Sequence, residues 1–354
     1  VRQTADIEDL IALIKRTFGT TAQVTGVDRL RGGTKKGVYR LHLDQVPTGS
    51  VIVYSWADEE NFWPAAGDKN DGTVAGTAAA HDPRDPFAPA SGYSRYLAAQ
   101  QMLEGLGIRT CRVYLADDTK QEYPAEVAVV EDLPGGNLEA LYGTDPVRAE
   151  DATKDLATAL KLMHAHRAPT YGTLEQVARG SEVLGTSCEQ VILERALVDL
   201  DEGARRDPRL GRQKTRLRER LLELRARVES RQEYSLIHGE LGPDHVLVTA
   251  DHQHPPQPTQ SVLIDIEGLL FFDVEWEHVF LELRFHEHYR LLAGDMVLDQ
   301  QRLDLYRLAI RLALVAGPLR LLDGDFPDRE FMQQIAEGNL QAALALLPEE
   351  TTHA

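Results

Sequence analysis

Leu236-Ile237-His238-Gly239-Glu240-Leu241-Gly242-Pro243-Asp244-His245-Val246-Leu247-Val248 is the stretch on which the fold turns. It sets glycine, proline and polar residues between two apolar runs, the pattern of a strand, a loop and a second strand. A connector rich in proline and polar residues follows from Ala250 to Gln260. Beyond it, Val262-Leu263-Ile264-Asp265-Ile266-Glu267-Gly268 places two carboxylates at the end of another apolar run. Carboxylates at strand ends can hold a divalent metal on a nucleotide and orient an attacking hydroxyl, which is what phosphoryl transfer requires.

Upstream of this pair of loops the chain is rich in strand signals. Ile7 to Phe18 has helical apolar spacing, and Val24 to Val27, Gly37 to Leu43 and Ser50 to Trp56 read as strands separated by glycine-containing turns. Residues 61–91 carry Asn70-Asp71-Gly72, Asp82-Pro83 and Asp85-Pro86 among other breakers, so a long irregular loop is expected there. Tyr93 to Gly107 resumes helical spacing, and Val113 to Leu115 and Ala125 to Val130 read as two more strands. Glu131-Asp132-Leu133-Pro134-Gly135-Gly136 cannot continue a strand and forms a connector. After it the periodicity predicts helices over Asp151 to His164, Glu189 to Ala204, Arg212 to Val228, Phe280 to Leu292, Gln301 to Val315 and Glu330 to Leu347. Tyr234 to Ile237, Val246 to Thr249 and Ser261 to Ile264 are expected as small strands among them. The reading is an α+β chain of two lobes. Residues 1–131 form a β-rich N-terminal lobe containing the loop 61–91, and residues 132–354 form a mainly helical C-terminal lobe.

Composition narrows the function. Hydrophobic residues at 43% and charged residues at 27% describe an ordinary globular chain able to bury a full core. A net charge of -18 disfavours nucleic acid as a partner, because that affinity comes from cationic contacts to phosphates. The apolar run Leu308 to Val315 is broken by Arg311 and is far short of a bilayer span. The N-terminus lacks a basic-then-apolar signal pattern, so the expectation is a cytoplasmic protein with no membrane partner. Cys111 and Cys188 have no metal-binding spacing and read as reduced, buried thiols. Oligomeric state is not legible.

The two loops resemble those of the aminoglycoside phosphotransferase and choline kinase family, small-molecule kinases of the protein-kinase-like bilobal fold. His238 to Val248 is similar to the family's His-Gly-Asp-Leu-His-Pro-Gly-Asn loop, and Ile264-Asp265-Ile266-Glu267 to its Ile-Asp-Phe-Glu metal motif. Ala157 to His164 and Phe272 to Glu277 add weaker echoes. The resemblance implies that His238 and Glu240 belong to the catalytic loop, with Glu240 standing where the family has its catalytic aspartate. A glutamate is one methylene longer, and misplacement by about a bond length costs up to ~100-fold in rate unless the backbone compensates. It also implies a metal held by Asp265, with Glu267 assisting and His245 standing where the family has a magnesium-ligating asparagine. The resemblance implies Mg2+; an imidazole is a softer donor than an amide oxygen and favours transition metals, which makes Mn2+ the alternative.

On the nucleotide side, Arg31 to Tyr39 resembles the family's flexible loop over the phosphates. Gly32 and Gly33 would let amides approach, and Lys35 and Lys36 would add charge. The hinge Glu131, Asp132 and Leu133 is where the resemblance implies adenine pairing with backbone groups. One expected feature is missing. The strand Val51-Ile52-Val53-Tyr54-Ser55-Trp56 has no phosphate-gripping lysine, and Ser91 to Gln101 contains no acidic partner for one. Lys35, Lys36, Arg40 or Lys69 are the cations available to replace it. The function implied is transfer of the γ-phosphate of ATP or GTP to a hydroxyl of a small molecule, and a cationic antibiotic or amino sugar fits the acidic balance. The alternative is a catalytically silent kinase-like protein that binds a small molecule or nucleotide.

Overall fold

The computed structural model describes residues 5, 7–30, 33–63, 84–87, 91–249 and 258–348. Its N-terminal part comprises α1 (Ile7–Phe18), β1 (Gln23–Arg29), β2 (Gly37–Asp44), β3 (Ser50–Ser55), α2 (Tyr93–Gly105), β4 (Val113–Asp117) and β5 (Val127–Glu131). The strands form one antiparallel sheet in the order β1-β2-β3-β5-β4. Side chains alternate across a strand, and here the alternation divides two cores. Val51 and Val53 of β3 and Val127 and Val129 of β5 pack against Leu10, Leu13 and Ile14, the helical stripe of α1. Ile52, Tyr54, Ala128 and Val130 face the other way and join Tyr96, Ala99 and Leu103 of α2. That second cluster runs on without a break into the helical lobe.

The C-terminal part contains α3 (Leu138–Thr144), α4 (Pro146–Ala165), β6 (Arg167–Ala168), β7 (Gly172–Thr173), α5 (Leu174–Arg179), α6 (Cys188–Arg206) and α7 (Pro208–Ala226). It continues with β8 (Tyr234–Ile237), β9 (Val246–Val248), β10 (Ser261–Leu263), β11 (Leu270–Phe272), α8 (Val274–Phe285), α9 (Tyr289–Leu292), α10 (Gln300–Leu321) and α11 (Arg329–Ala345). The bilobal α+β architecture read from the sequence is therefore the observed one. Asn137 and Asp145 cap α3 and α4 through their side chains, and Pro146 starts α4 where its missing N–H costs nothing. α10 lies at the centre, packed on α6 and α11. Strands β9 and β10 pair as one hairpin, and β6-β8-β11-β7 form a second small sheet that carries the loops of interest.

Three local expectations change. The single helix expected over Phe280 to Leu292 starts at Val274 and breaks at His286, which takes φ 49, before α9 resumes. Its first turn is hidden from a periodicity argument because Glu275, Glu277 and His278 are buried there. β6, β7, β11, α3 and α5 were too short to show a period. Of the expected loop 61–91, the two described pieces are docked on the helical lobe. Phe62 packs with Leu321, Phe326 and Met332. Asp85 pairs with Arg195 at 2.7 Å, and Phe87 lies against Phe272 and Trp276. The rest of that loop is outside the described residues. Both cysteines are buried and unbridged. Among the described residues, no helix is long and apolar enough to cross a membrane.

Candidate active site

β8 ends at Ile237 and delivers His238 into a turn. Gly239 takes φ 90, and a Cβ there would lie 3.1 Å from Leu270 Cδ2, so the turn needs its glycine. The His238 backbone N–H donates to Glu277 of α8, and its ring Nε2 meets the Ile264 carbonyl at 3.0 Å. A carbonyl only accepts, so Nε2 carries the hydrogen. Burial, with His245 adding to it, lowers the His238 pKa to about 4 and keeps the ring neutral. His238 thus laces the loop to the residue that precedes Asp265. Glu277 is fully buried; burial pushes its carboxyl up to about 7 against the pull of the His238, Gly239 and Leu241 amides.

Glu240 is exposed, and among the described residues its carboxylate has no hydrogen-bond or ion-pair partner. Its backbone carbonyl accepts from His245 Nδ1 at 3.0 Å. In the neutral ring that bond places the hydrogen on Nδ1 and leaves the Nε2 lone pair for a metal. Nε2 lies 3.8 Å from Asp265 Oδ2 and 3.6 Å from Asp244 Oδ2. Asp244 is held by Arg284 at 2.7 Å.

Asp265 follows β10 with φ 58 and ψ 39, a left-handed backbone that only a short polar side chain other than glycine adopts readily. Such outliers persist where the surroundings hold them, and they cluster at functional sites. Its side chain is 46% exposed, while that of Glu267, two residues on, is 2% exposed. Between them comes the ammonium of Lys36, which donates to Asp265 Oδ1 at 2.9 Å and to Glu267 Oε1. Burial opposes the Lys36 charge, but the two carboxylates outweigh it and raise its pKa. Lys36 in turn holds Asp265 well below the usual carboxylate range.

Lys36 is delivered by a tight loop. A Cβ on Gly33 would sit 2.5 Å from the Lys36 carbonyl oxygen, and one on Gly37 would sit 2.7 Å from the Glu60 carboxyl and 2.8 Å from the Tyr39 ring. Of the other candidates on this loop, Lys35 turns to the Trp63 ring, 6.0 Å from its centre, and Gly32 lies outside the described residues. Arg40 is spent on Asp132, which also accepts from Ser50 at 2.6 Å, and Lys69 lies outside the described residues. In the hinge, Glu131 forms a bidentate pair with Arg109 at 2.8 and 2.9 Å. The side chains of Glu131 and Asp132 are therefore structural, and Leu133 packs against the main core.

The structure thus brings His238, Glu240, His245, Asp265, Glu267 and Lys36 to one place, and leaves Lys35, Glu131, Asp132 and Leu133 apart from them. A divalent metal is implied by the loop pattern, and its donors can be tested. Among the described residues, no group of three or more His, Cys, Asp or Glu side chains is assembled around a metal position. Two donors do converge, the exposed Asp265 carboxylate and the bare His245 Nε2. Two protein donors would suit a cation that keeps waters and phosphate oxygens as its remaining ligands; the carboxylate fits Mg2+, and the imidazole fits Mn2+ better. Sequence reasoning missed Tyr54, whose ring centre lies 4.8 Å from the Lys36 ammonium, and Tyr96, which packs edge to face against Tyr54 at 5.4 Å. Glu277 lies in the Phe272 to Glu277 stretch already noted, but its bonds to the loop amides depend on tertiary packing.

A β-rich lobe joined to a helical lobe is the architecture of the kinase-like phosphotransferases, and here the His238-Gly239 loop and Asp265 lie where the N-terminal lobe's Lys36 meets the helical lobe. The sequence pattern of the APH phosphotransferase enzyme family matches residues 70–256, more than half of the 354, and the chain belongs to that family. The matched segment contains His238, Glu240 and His245; Lys36 and Asp265 lie outside it. No curated protein matches at a significant level. Solved structures share the fold at low identity. Spectinomycin phosphotransferase APH(9)-Ia, in complex with ADP and spectinomycin, has a TM-score of 0.63 at 13% identity, with 97% of this chain and 99% of that chain covered. The GDP and kanamycin complex of APH(2″)-IIIa gives 0.57 at 17% identity, covering 95% and 97%. A thermostable mutant of APH(4)-Ia in a ternary complex with ADP and hygromycin B gives 0.56 at 14%, covering 96% and 99%.

Proposed function

We propose that this chain transfers the γ-phosphate of ATP or GTP to a hydroxyl of a small molecule, and that its two lobes divide at residues 131 and 132. The observation that carries the reading is the meeting of Lys36 from the N-terminal lobe with Asp265 beside His245. A cation beside a carboxylate that could hold a metal is the combination phosphoryl transfer depends on, and that supports the reading. Asp265 and His245 would hold a divalent metal, which when bound neutralises charge on the phosphates. Lys36 would grip phosphate oxygens, and Gly33 would keep the loop backbone close to them. The backbone of Asp132 and Leu133 would face the nucleobase. Glu240, exposed on the loop, would accept the proton of the acceptor hydroxyl, and the free carboxylate seen there suits a general base. His238 positions the loop and touches no substrate.

The acceptor class follows from charge and from the neighbours. Three solved proteins of this fold carry spectinomycin, kanamycin or hygromycin B, and a net charge of -18 favours a cationic acceptor. A cationic aminoglycoside or amino sugar is the proposed substrate, and drug resistance in the bearer is its corollary. The test is to incubate the chain with labelled ATP or GTP, Mg2+ or Mn2+, and a panel of aminoglycosides, amino sugars and amino alcohols. Transfer that is lost in Asp265→Asn and falls about 100-fold or more in Glu240→Gln supports the reading. Absence of both transfer and nucleotide-dependent stabilisation overturns it in favour of a silent binding protein.

A further inference from the structure

Kinase-like sites hold their phosphate-gripping lysine on a strand and pair it with an acid on the following helix, and this chain has neither residue in those positions. Read against Val-Ala-Ile-Lys, the segment Val51-Ile52-Val53-Tyr54 puts Tyr54 where the lysine would stand. α2 presents Tyr96 to it, not an acid. We propose, resting on the kinase reading above, that the lysine–acid pair has moved as a unit: Lys36 grips the phosphates from the turn that leads into the adjacent strand, and Glu267 is its buried counter-acid instead of a metal ligand.

Strand register explains how the lysine arrives. Val38 of β2 is paired with Tyr54 of β3, so the two side chains share a face of the sheet. Lys36 stands in the turn one residue before β2, and its side chain reaches over to that same face. Its ammonium ends 4.8 Å from the centre of the Tyr54 ring, over the place a lysine at 54 would fill. Gly37 allows this, because the chain passes too close to Glu60 and Tyr39 for any Cβ.

The acid has moved correspondingly. Glu267 lies in the turn of residues 266–268 on which α2 packs, so it reaches the lysine from the side that the helix would otherwise supply. It is the buried member of the two acids that Lys36 touches, and a carboxylate removed from water needs a fixed cation partner. The exposed member, Asp265, is the one next to His245 and open to the cleft. The two carboxylates of the motif therefore divide the work: Glu267 orients the lysine and Asp265 faces the metal.

The experiment compares binding of ATP and GTP with that of adenosine and guanosine by titration calorimetry, with Mg2+ varied. Wild type is expected to bind one triphosphate at least ~10-fold tighter than its nucleoside. Lys36→Met should reduce that ratio about 10–100-fold while leaving nucleoside affinity in place, which also reports a folded pocket. The double variant K36M/Y54K should recover most of the ratio by returning the cation to the strand. Glu267→Gln should weaken triphosphate binding without moving the Mg2+ concentration for half-saturation, whereas Asp265→Asn should move it. Should Lys36→Met fail to fold because Glu267 is stranded, the same ratio is read on K36M/E267Q, which removes that charge. An unchanged ratio in the Lys36 variants, or a Glu267→Gln shift in Mg2+ dependence equal to that of Asp265→Asn, overturns the proposal and leaves the kinase reading standing. Wild type that binds neither triphosphate overturns both.

Discussion

Lys36 and Asp265 meet at 2.9 Å although 229 residues separate them in the chain. The contact spans the two lobes and joins the turn before β2 to the turn after β10. Removing the carboxylate charge in Asp265→Asn leaves Lys36 bonded to Glu267 and exposes no new surface. The expected cost in stability is therefore below ~1 kcal/mol, since the Asp265 side chain is partly solvated. Its effect on ligand response should be large: the rise in melting temperature that ATP or GTP produces should lose its dependence on Mg2+ or Mn2+. Differential scanning fluorimetry with and without chelator checks this.

Gly37→Ala tests the loop that carries Lys36. The added methyl would lie 2.7 Å from the Glu60 carboxyl and 2.8 Å from the Tyr39 ring, both buried. Overpacking of this kind costs about 1–3 kcal/mol, and relief by backbone movement would draw Lys36 away from Asp265. Urea denaturation should show the loss of stability, and the triphosphate-to-nucleoside affinity ratio should fall in the same variant.

The centre of the helical lobe depends on Arg302. Its side chain is 1% exposed and donates to Asp273, to Glu189 at 3.2 Å and to the Glu229 carbonyl. Arg302→Leu takes the shared cation from two buried carboxylates, leaving Asp273 with Arg231 and Tyr306 and Glu189 with Arg225 and Ser230, and loss of about 3 kcal/mol in urea unfolding is expected. Asp273 is pushed up to about 6 by burial even with Arg302 present, so without it the carboxyl should take up a proton near neutral pH.

His164 predicts how acid acts on the fold. It is buried in α4 beside the His278 ring, and burial lowers its pKa to about 3 from the ordinary 6.5. A folded-state pKa below the unfolded one means that the unfolded chain takes up the proton first. The stability this group protects is whole above pH 6.5 and is lost as pH falls toward 3. Between pH 7 and 5 the loss from this one group is about 2 kcal/mol. His164→Phe keeps the ring and removes the titration, so its unfolding free energy should fall less steeply over that interval.

Much of the fold was legible locally. The β-rich start, the connector at Glu131 to Gly136 and most of the long helices follow from hydrophobic period and turn residues, which act over a few positions. The apolar period misses both ends of α8 because buried Glu275, Glu277 and His278 conceal its start and the positive φ of His286 breaks it where the apolar period continues. In the site, the loop from His238 to His245 and the turn at Asp265 could be read as chemistry, since glycine, histidine and carboxylates stand together in sequence.

What the sequence by itself determined is therefore the set of local elements, the family and the two loops that bear the polar residues. Tertiary structure alone decided which cation meets which acid. Lys35 and Lys36 are adjacent and chemically equal, and only the path of the turn before β2 separates them: one side chain goes to Trp63, the other to Asp265 and Glu267. Glu267 and Asp265 stand two residues apart, and only packing buries the first and exposes the second. Charge pairing between segments hundreds of residues apart depends on distance and dielectric in space, and neither is written in the spacing of residues along the chain.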